Sequence, residues 1–178
     1  MAGIQAGDRQ LTAELCRRLK GTVDSTLWRI MGRGDPEHHD LAQASFEHIV
    51  SSLRRGKFSG ECGIATWAAA ITGHVALRAI RSRRVERRVF DRSLDADLAS
   101  REIHGPGNPE AQVGARRDLE AMRLHLGSMS QKLSEALLLH DVLGFGIDET
   151  MALTGSSKVA VQSRLTRGRR ELSRRLGR

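Results

Sequence analysis

Apolar residues return at three- and four-residue steps along this chain, most regularly at Ile64, Trp67, Ala68, Ile71, Val75 and Ala79, with no strand-like alternation anywhere. Steps of that size place side chains on one face of an α-helix. The spacing predicts one buried helical face here and an all-α chain. Composition agrees: of 178 residues, 39% are hydrophobic but only 3% aromatic, and the three prolines sit in turn-like settings. That mix favours helices.

Two tripeptides share one punctuation, Asp35-Pro36-Glu37 and Asn108-Pro109-Glu110. Each offers an N-cap, a proline at the first helical position and an acid facing the helix dipole, so each is expected to open a helix. An amphipathic helix from about Leu11 to Met31 precedes the first, which runs to about Arg55, and the Gly-rich stretch from Gly56 to Gly63 reads as a loop. Periodicity fails between Asp91 and Gly107, where His104-Gly105-Pro106-Gly107-Asn108 is rich in turn formers. After Pro109 the pattern predicts a helix to about Leu126, one capped by Ser130 through Leu143, and shorter ones over Ile147 to Thr154 and Ser157 to about Leu176. The expected architecture is two small helical domains, 8–90 and 109–178, joined by a flexible linker over 91–108.

Charge is distributed unevenly. The chain is formally +8, but residues 78–92 alone are +5 and residues 157–178 are +7, leaving −4 for the remainder. Two basic stretches on a mildly acidic body point to two contacts with a polyanion, with solvated helix faces as the plainer alternative. Cys16 and Cys62 lie far apart without metal-ligand spacing, and no secretory signal precedes them, so a reduced, cytoplasmic protein is expected. No apolar run approaches the roughly 18 residues a membrane span needs. His38 and His39 diverge by about 100° on a helix and have no completing ligands, so no metal is expected. Gly56, Gly60 and Gly63 lack the Lys-Ser/Thr of a phosphate loop, and no nucleophile motif appears, so neither an enzyme nor a cofactor is expected.

The strongest local signal lies near the C-terminus. Leu137 to Leu143 leads into Gly144-Phe145-Gly146, a short helix, Gly155 and a long basic helix, which are the parts of a helix-turn-helix. In the last helix Val161, Leu165, Leu172 and Leu176 mark the inward face, leaving Gln162, Ser163, Thr166, Arg167, Arg169 and Arg170 outside. Lys158 opposes the dipole at the helix N-terminus, a penalty that a phosphate beside Ser157 and Lys158 would reverse. Gln162 and Arg167 suit paired hydrogen bonds to adenine and guanine edges, Ser163 and Thr166 suit phosphate or a base edge, and Arg169 and Arg170 suit phosphates.

The run from Ser134-Glu135-Ala136-Leu137-Leu138-Leu139 through Gly155-Ser156-Ser157 to Val161-Gln162-Ser163-Arg164-Leu165-Thr166-Arg167-Gly168-Arg169 resembles region 4 of bacterial sigma factors. The resemblance covers about sixty residues and implies reading of the upstream promoter element. Thr150 stands where that family usually has an aliphatic residue, and Met151 where alanine is usual, which predicts looser packing there.

Asp40-Leu41-Ala42-Gln43-Ala44-Ser45-Phe46, Trp67 and the arginine-rich helix beyond it resemble sigma region 2 over roughly residues 8 to 90. The chain as a whole is similar to the extracytoplasmic-function sigma factors. The resemblance implies binding of core RNA polymerase through Asp40 and Gln43, with Ala44 replacing a usual glutamate. It places Lys57 and Phe58 in the loop that captures a flipped base, Phe58 fitting either a stacking role or an anchor beneath the loop. His74, Arg81, Arg83, Arg84, Arg87 and Arg88 form the implied track for the downstream element and its melting. Ala68 to Ala70, smoother than the family's pattern, imply weak intrinsic melting and a strict promoter requirement. The implied partners are core polymerase, promoter DNA and an anti-sigma factor. Two rival readings stay open: a sigma-shaped decoy that sequesters an anti-sigma factor, and a helix-turn-helix repressor acting without polymerase.

Overall fold

The computed structural model describes Gly3, residues 7–90 and residues 121–176, with side chains of the first stretch through Glu86. Helix α1 spans Arg9–Met31, α2 spans His38–Arg54 and α3 spans Ile64–Phe90. Residues 121–128 belong to helix α4. Helix α5 spans Gln131–Leu137 and widens into a π-helical turn over Leu138–Val142; α6 is Ile147–Thr154 and α7 Lys158–Arg175. No strand occurs among the described residues. The expected linker lies outside them.

Helix α1 begins where the Asp8 carboxylate accepts hydrogen bonds from the Gln10 and Leu11 amides at 2.8 and 3.1 Å. It ends at Gly32, whose φ of 89° suits glycine. Leu19, Val23, Leu27 and Ile30 recur along its inner face and are buried against the core. Each such side chain contributes roughly 1.5–3 kcal/mol on leaving water.

The Asp35 signal is corrected in one respect. Helix α2 opens at His38 with Glu37 at the cap position and no side-chain cap bond. Asp35 Oδ1 accepts the Glu37 amide at 3.0 Å, forming a local turn, while the same carboxylate grips Arg83 across the fold. A distant guanidinium has outcompeted a helix terminus for this carboxylate. Ser130 likewise occupies the cap position of α5 without a side-chain cap bond.

Helix α3 is buried on more sides than its apolar spacing indicated. Ile64, Trp67, Ile71, Val75 and Ala79 are only half-buried, whereas Ala68, Ala69, Ala70, Thr72, Gly73, Ala76, Leu77 and Ile80 are buried. One side of α3 meets α1 and α2, and a second side receives the C-terminal half. Buried Leu126, Met129, Leu138 and Leu143 join the same apolar cluster as Leu77 and Ile80. The two halves therefore share one continuous core. Buried hydroxyls within it are satisfied along their own helices: Ser45 donates to the Leu41 carbonyl at 2.7 Å and Thr72 to that of Ala68 at 2.9 Å.

Candidate nucleic-acid interface

The helix-turn-helix forms where glycine allows it. Gly144 takes a φ of 79°, and the Gly146 amide donates to Glu149 Oε2 at 3.0 Å to start α6. Gly155, with φ 59°, turns the chain out of α6, and the Ser157 hydroxyl accepts the Ala160 amide at the start of α7. Val161, Leu165 and Gly168 fix the buried side of α7. A Cβ at Gly168 would stand 3.0 Å from Leu137 Cγ and Cδ1, so glycine lets the two helices approach closely there. Gly168 is a packing position that the hydrophobic pattern alone missed.

The opposite side of α7 exposes Lys158, Gln162, Thr166, Arg167, Arg169 and Arg170. Residues 158, 162, 166 and 170 are four apart and form one stripe, with Ser163 and Arg167 beside it. Arg167 Nη2 donates to Ser163 Oγ at 2.9 Å, which orients the guanidinium along the helix. Arg169 is committed differently: it holds both Asp141 oxygens at 2.9 and 2.6 Å, and that carboxylate raises the guanidinium pKa above its ordinary value. Arg164 turns back to Ser156 Oγ at 2.7 Å and ties α7 to the preceding turn. The exposed face thus carries donors for phosphates and base edges, and its neighbours clamp the frame.

The N-terminal candidates do not form one surface. His74 and Arg81 lie seven residues apart on one side of α3, where His74 Nε2 is 2.9 Å from Glu135 Oε1 and Arg81 Nη2 donates to Ser134 Oγ at 2.6 Å. The close approach of His74, against the opposing effect of burial, lowers the Glu135 pKa. Arg83, two positions on and about 200° round the helix, points to the α1–α2 turn and pairs with Asp35 and Glu37. Arg84 is half-buried. The side chains of Arg87 and Arg88 fall outside the described residues. Lys57 is exposed in the loop, while the half-buried Phe58 packs edge-on against Trp67 with ring centroids 5.3 Å apart. The anchoring geometry for Phe58 is the one observed.

On α2, Asp40 and Gln43 are exposed on one stripe, which Glu47 extends. Gln43 Nε2 donates to Glu47 Oε1 at 3.1 Å. Ala44 is half-buried beside them, so Glu47 is the further carboxylate this face presents. Its i, i+4 spacing from Gln43 was the signal that could have found it. Among the described residues no cluster of three His, Cys, Asp or Glu could hold a metal ion. No described helix is long and apolar enough to cross a membrane.

Residues 119–172 match the family described as Sigma-70, region 4. Over 174 residues the chain is 33% identical to the RNA polymerase sigma factor CnrH of Cupriavidus metallidurans, covering 97% of this chain and 90% of that protein. Its fold is similar to that of CnrH in complex with the cytosolic domain of CnrY, at a TM-score of 0.53 and 19% identity over 99% of this chain and 94% of that one. It is also similar to the sigma factor RpoE in complex with the anti-sigma factor NepR from Bartonella quintana, at a TM-score of 0.51 and 19% identity over 95% and 98%.

Proposed function

This chain belongs to the RNA polymerase sigma factors, in the extracytoplasmic-function group, and from that membership we propose that it docks on bacterial core polymerase and directs initiation at its own set of promoters. The observation that carries the reading is the near full-length identity to a sigma factor, which a simple helix-turn-helix repressor would not have beyond its DNA-binding half. In this reading the protein is a DNA-binding regulator without catalytic chemistry of its own, and it works in the cytoplasm beside polymerase and DNA.

The roles divide along the chain. Helix α7 enters the major groove at the upstream element, with Gln162 and Arg167 on base edges and Ser157, Lys158, Ser163, Thr166 and Arg170 on phosphates or neighbouring edges. Arg169 reaches phosphate while braced by Asp141. The 55–63 loop and α3 act at the downstream element through Lys57, His74, Arg81, Arg84, Arg87 and Arg88, with Phe58 anchoring the loop on Trp67 and Arg83 bracing the α1–α2 turn through Asp35 and Glu37. The stripe of Asp40 and Gln43 meets polymerase. An anti-sigma factor is a further partner, as NepR is for the Bartonella quintana sigma factor.

Reconstitution with core polymerase on a promoter library tests the proposal. Specific initiation is expected, and Arg167→Ala is expected to reduce it about tenfold, as loss of roughly 1–3 kcal/mol of base discrimination implies. Core binding without initiation would favour the decoy. Failure to bind core, with tight dimeric binding to palindromic DNA, would favour the repressor.

A further inference from the structure

We propose that Val159 reads a thymine of the upstream promoter element through its C5-methyl group, beside the adenine contact of Gln162. The inference rests on the sigma-factor reading above, in which α7 lies in the major groove.

Val159 is the most exposed large hydrophobic side chain among the described residues, at 76%. Its place on α7 gives that exposure a meaning. Val161, Leu165 and Gly168 hold one side of the helix against the core. At about 100° per residue, Val159, Ser163, Thr166 and Arg170 fall within about 60° of arc on the opposite side. Every other exposed residue of α7 is polar or charged. Folding gives no reason for a valine there. A β-branched side chain loses rotamer freedom in a helix, so a solvated first turn favours other residues, and at this exposure little of the side chain is buried in return.

A major groove supplies the missing apolar contact. Among the four bases only thymine carries a methyl group into that groove, where an apolar side chain can cover it. The first turn of a recognition helix comes nearest to the base edges, and Val159 is the second residue of α7, directly after Lys158. The donors around it fix what this thymine must neighbour. Val159 lies three residues before Gln162 and four before Ser163, a spacing that sets Cβ atoms roughly 5–6 Å apart. Successive base pairs rise by about 3.4 Å, so the thymine lies within about two steps of the adenine that Gln162 reads, on either strand.

Promoter duplexes carrying deoxyuridine in place of one thymine at a time test this, because that exchange removes the C5-methyl and nothing else. Each duplex is titrated with the full chain assembled on core polymerase. At one position near the Gln162 contact the exchange is expected to weaken wild-type binding about fourfold, the weight of one methyl group leaving water. The same exchange should leave Val159→Ala unchanged. That variant should melt no lower than wild type, since alanine favours an exposed helical position. An upstream element without such a thymine, or a wild type indifferent to every exchange, would overturn the proposal. So would a penalty that persists undiminished in Val159→Ala, because the two changes would then act independently. A holoenzyme with no preference among unmodified promoters would overturn the sigma-factor reading, and this inference with it, before any methyl group is removed.

Discussion

Arg83 holds both carboxylate oxygens of Asp35, at 2.6 and 2.8 Å, and so joins the end of the α1–α2 turn to a helix nearly fifty residues away. The Asp35 side chain is 6% exposed and that of Arg83 26%. Removing one partner of such a pair leaves the other poorly solvated, although Glu37 still reaches Arg83 at 2.9 Å. Asp35→Ala is expected to destabilise the protein by about 2 kcal/mol, below the ~3–5 kcal/mol of a fully buried pair. Chemical denaturation measures it, and a change under about 0.5 kcal/mol, within the ordinary surface range, would show that the pair does not hold the fold together.

The same carboxylate sets a pH dependence. Burial raises the Asp35 pKa, but hydrogen bonds from Arg83 and the Glu37 amide outweigh it and hold the group below its ordinary value. A folded-state pKa below the unfolded one gives stability that is present above the unfolded value and lost as pH falls through the folded one. The stability gap between wild type and Asp35→Asn should therefore be full at pH 7 and shrink below about pH 4, where free aspartate protonates. Denaturation curves at the two ends of that window decide it; a gap that persists undiminished at about pH 2 would show that ionisation of Asp35 is not what the fold uses.

Thr150 is fully buried on α6, and its hydroxyl donates to the Gly146 carbonyl at 2.8 Å. That carbonyl also accepts the Thr150 amide at 2.9 Å, so Thr150→Val orphans no backbone group. The expected result is neutral to about 1 kcal/mol stabilising, as for exchange of a buried hydroxyl for a methyl with its acceptor still served. A loss above about 2 kcal/mol would mean that the hydroxyl supports more than its own hydrogen bond.

Glycine has opposite worth in two helices. A Cβ at Gly168 would press on Leu137 at 3.0 Å, whereas one at Gly21 meets nothing within 4 Å. Overpacking costs typically about 1–3 kcal/mol, and glycine in a helix interior is about 1 kcal/mol worse than alanine. Gly168→Leu should thus lose about 1–2 kcal/mol while Gly21→Ala gains up to about 1 kcal/mol. Thermal melts of the two variants should move in opposite directions, and a common direction would contradict the packing argument.

Glu47 is expected to supply the negative charge that Ala44 lacks on the α2 stripe. Held by Gln43 at 3.1 Å, it stands one turn beyond Gln43 and two turns beyond Asp40 on the same side. Charge reversal at an interface rim acts on association. Glu47→Lys should weaken binding to core polymerase by roughly tenfold, while Ala44→Glu should leave it unchanged or tighter. Equal affinities for wild type and Glu47→Lys, measured by competition for core, would place the polymerase-binding surface elsewhere.

Much of this was legible from residue order. The helix-turn-helix followed from glycine positions and leucine spacing, because turns and amphipathic faces are local properties, and α6 spans the Ile147 to Thr154 read from the sequence. The α7 inward face was legible through Val161 and Leu165 but not Gly168, since close approach of two backbones leaves no hydrophobic mark. The arginines of α3 were the hardest to place. Arg81 and Arg83 read alike as basic residues, yet a rotation of about 200° sends one to Ser134 and the other to Asp35.

Residue order was enough for the helical class, the helix-turn-helix and the resemblance to sigma factors, because periodicity, capping and motif spacing act over a few residues. Which charges remain available depended on the assembled fold. Asp35 left its helix cap for Arg83, Asp141 took Arg169, and Glu135 took His74, each a pairing between groups distant in the chain. Such pairs depend on which helix faces meet: within each half for Asp35–Arg83 and Asp141–Arg169, and between the halves for Glu135–His74, where Leu138, Leu143 and Gly127 pack against α3.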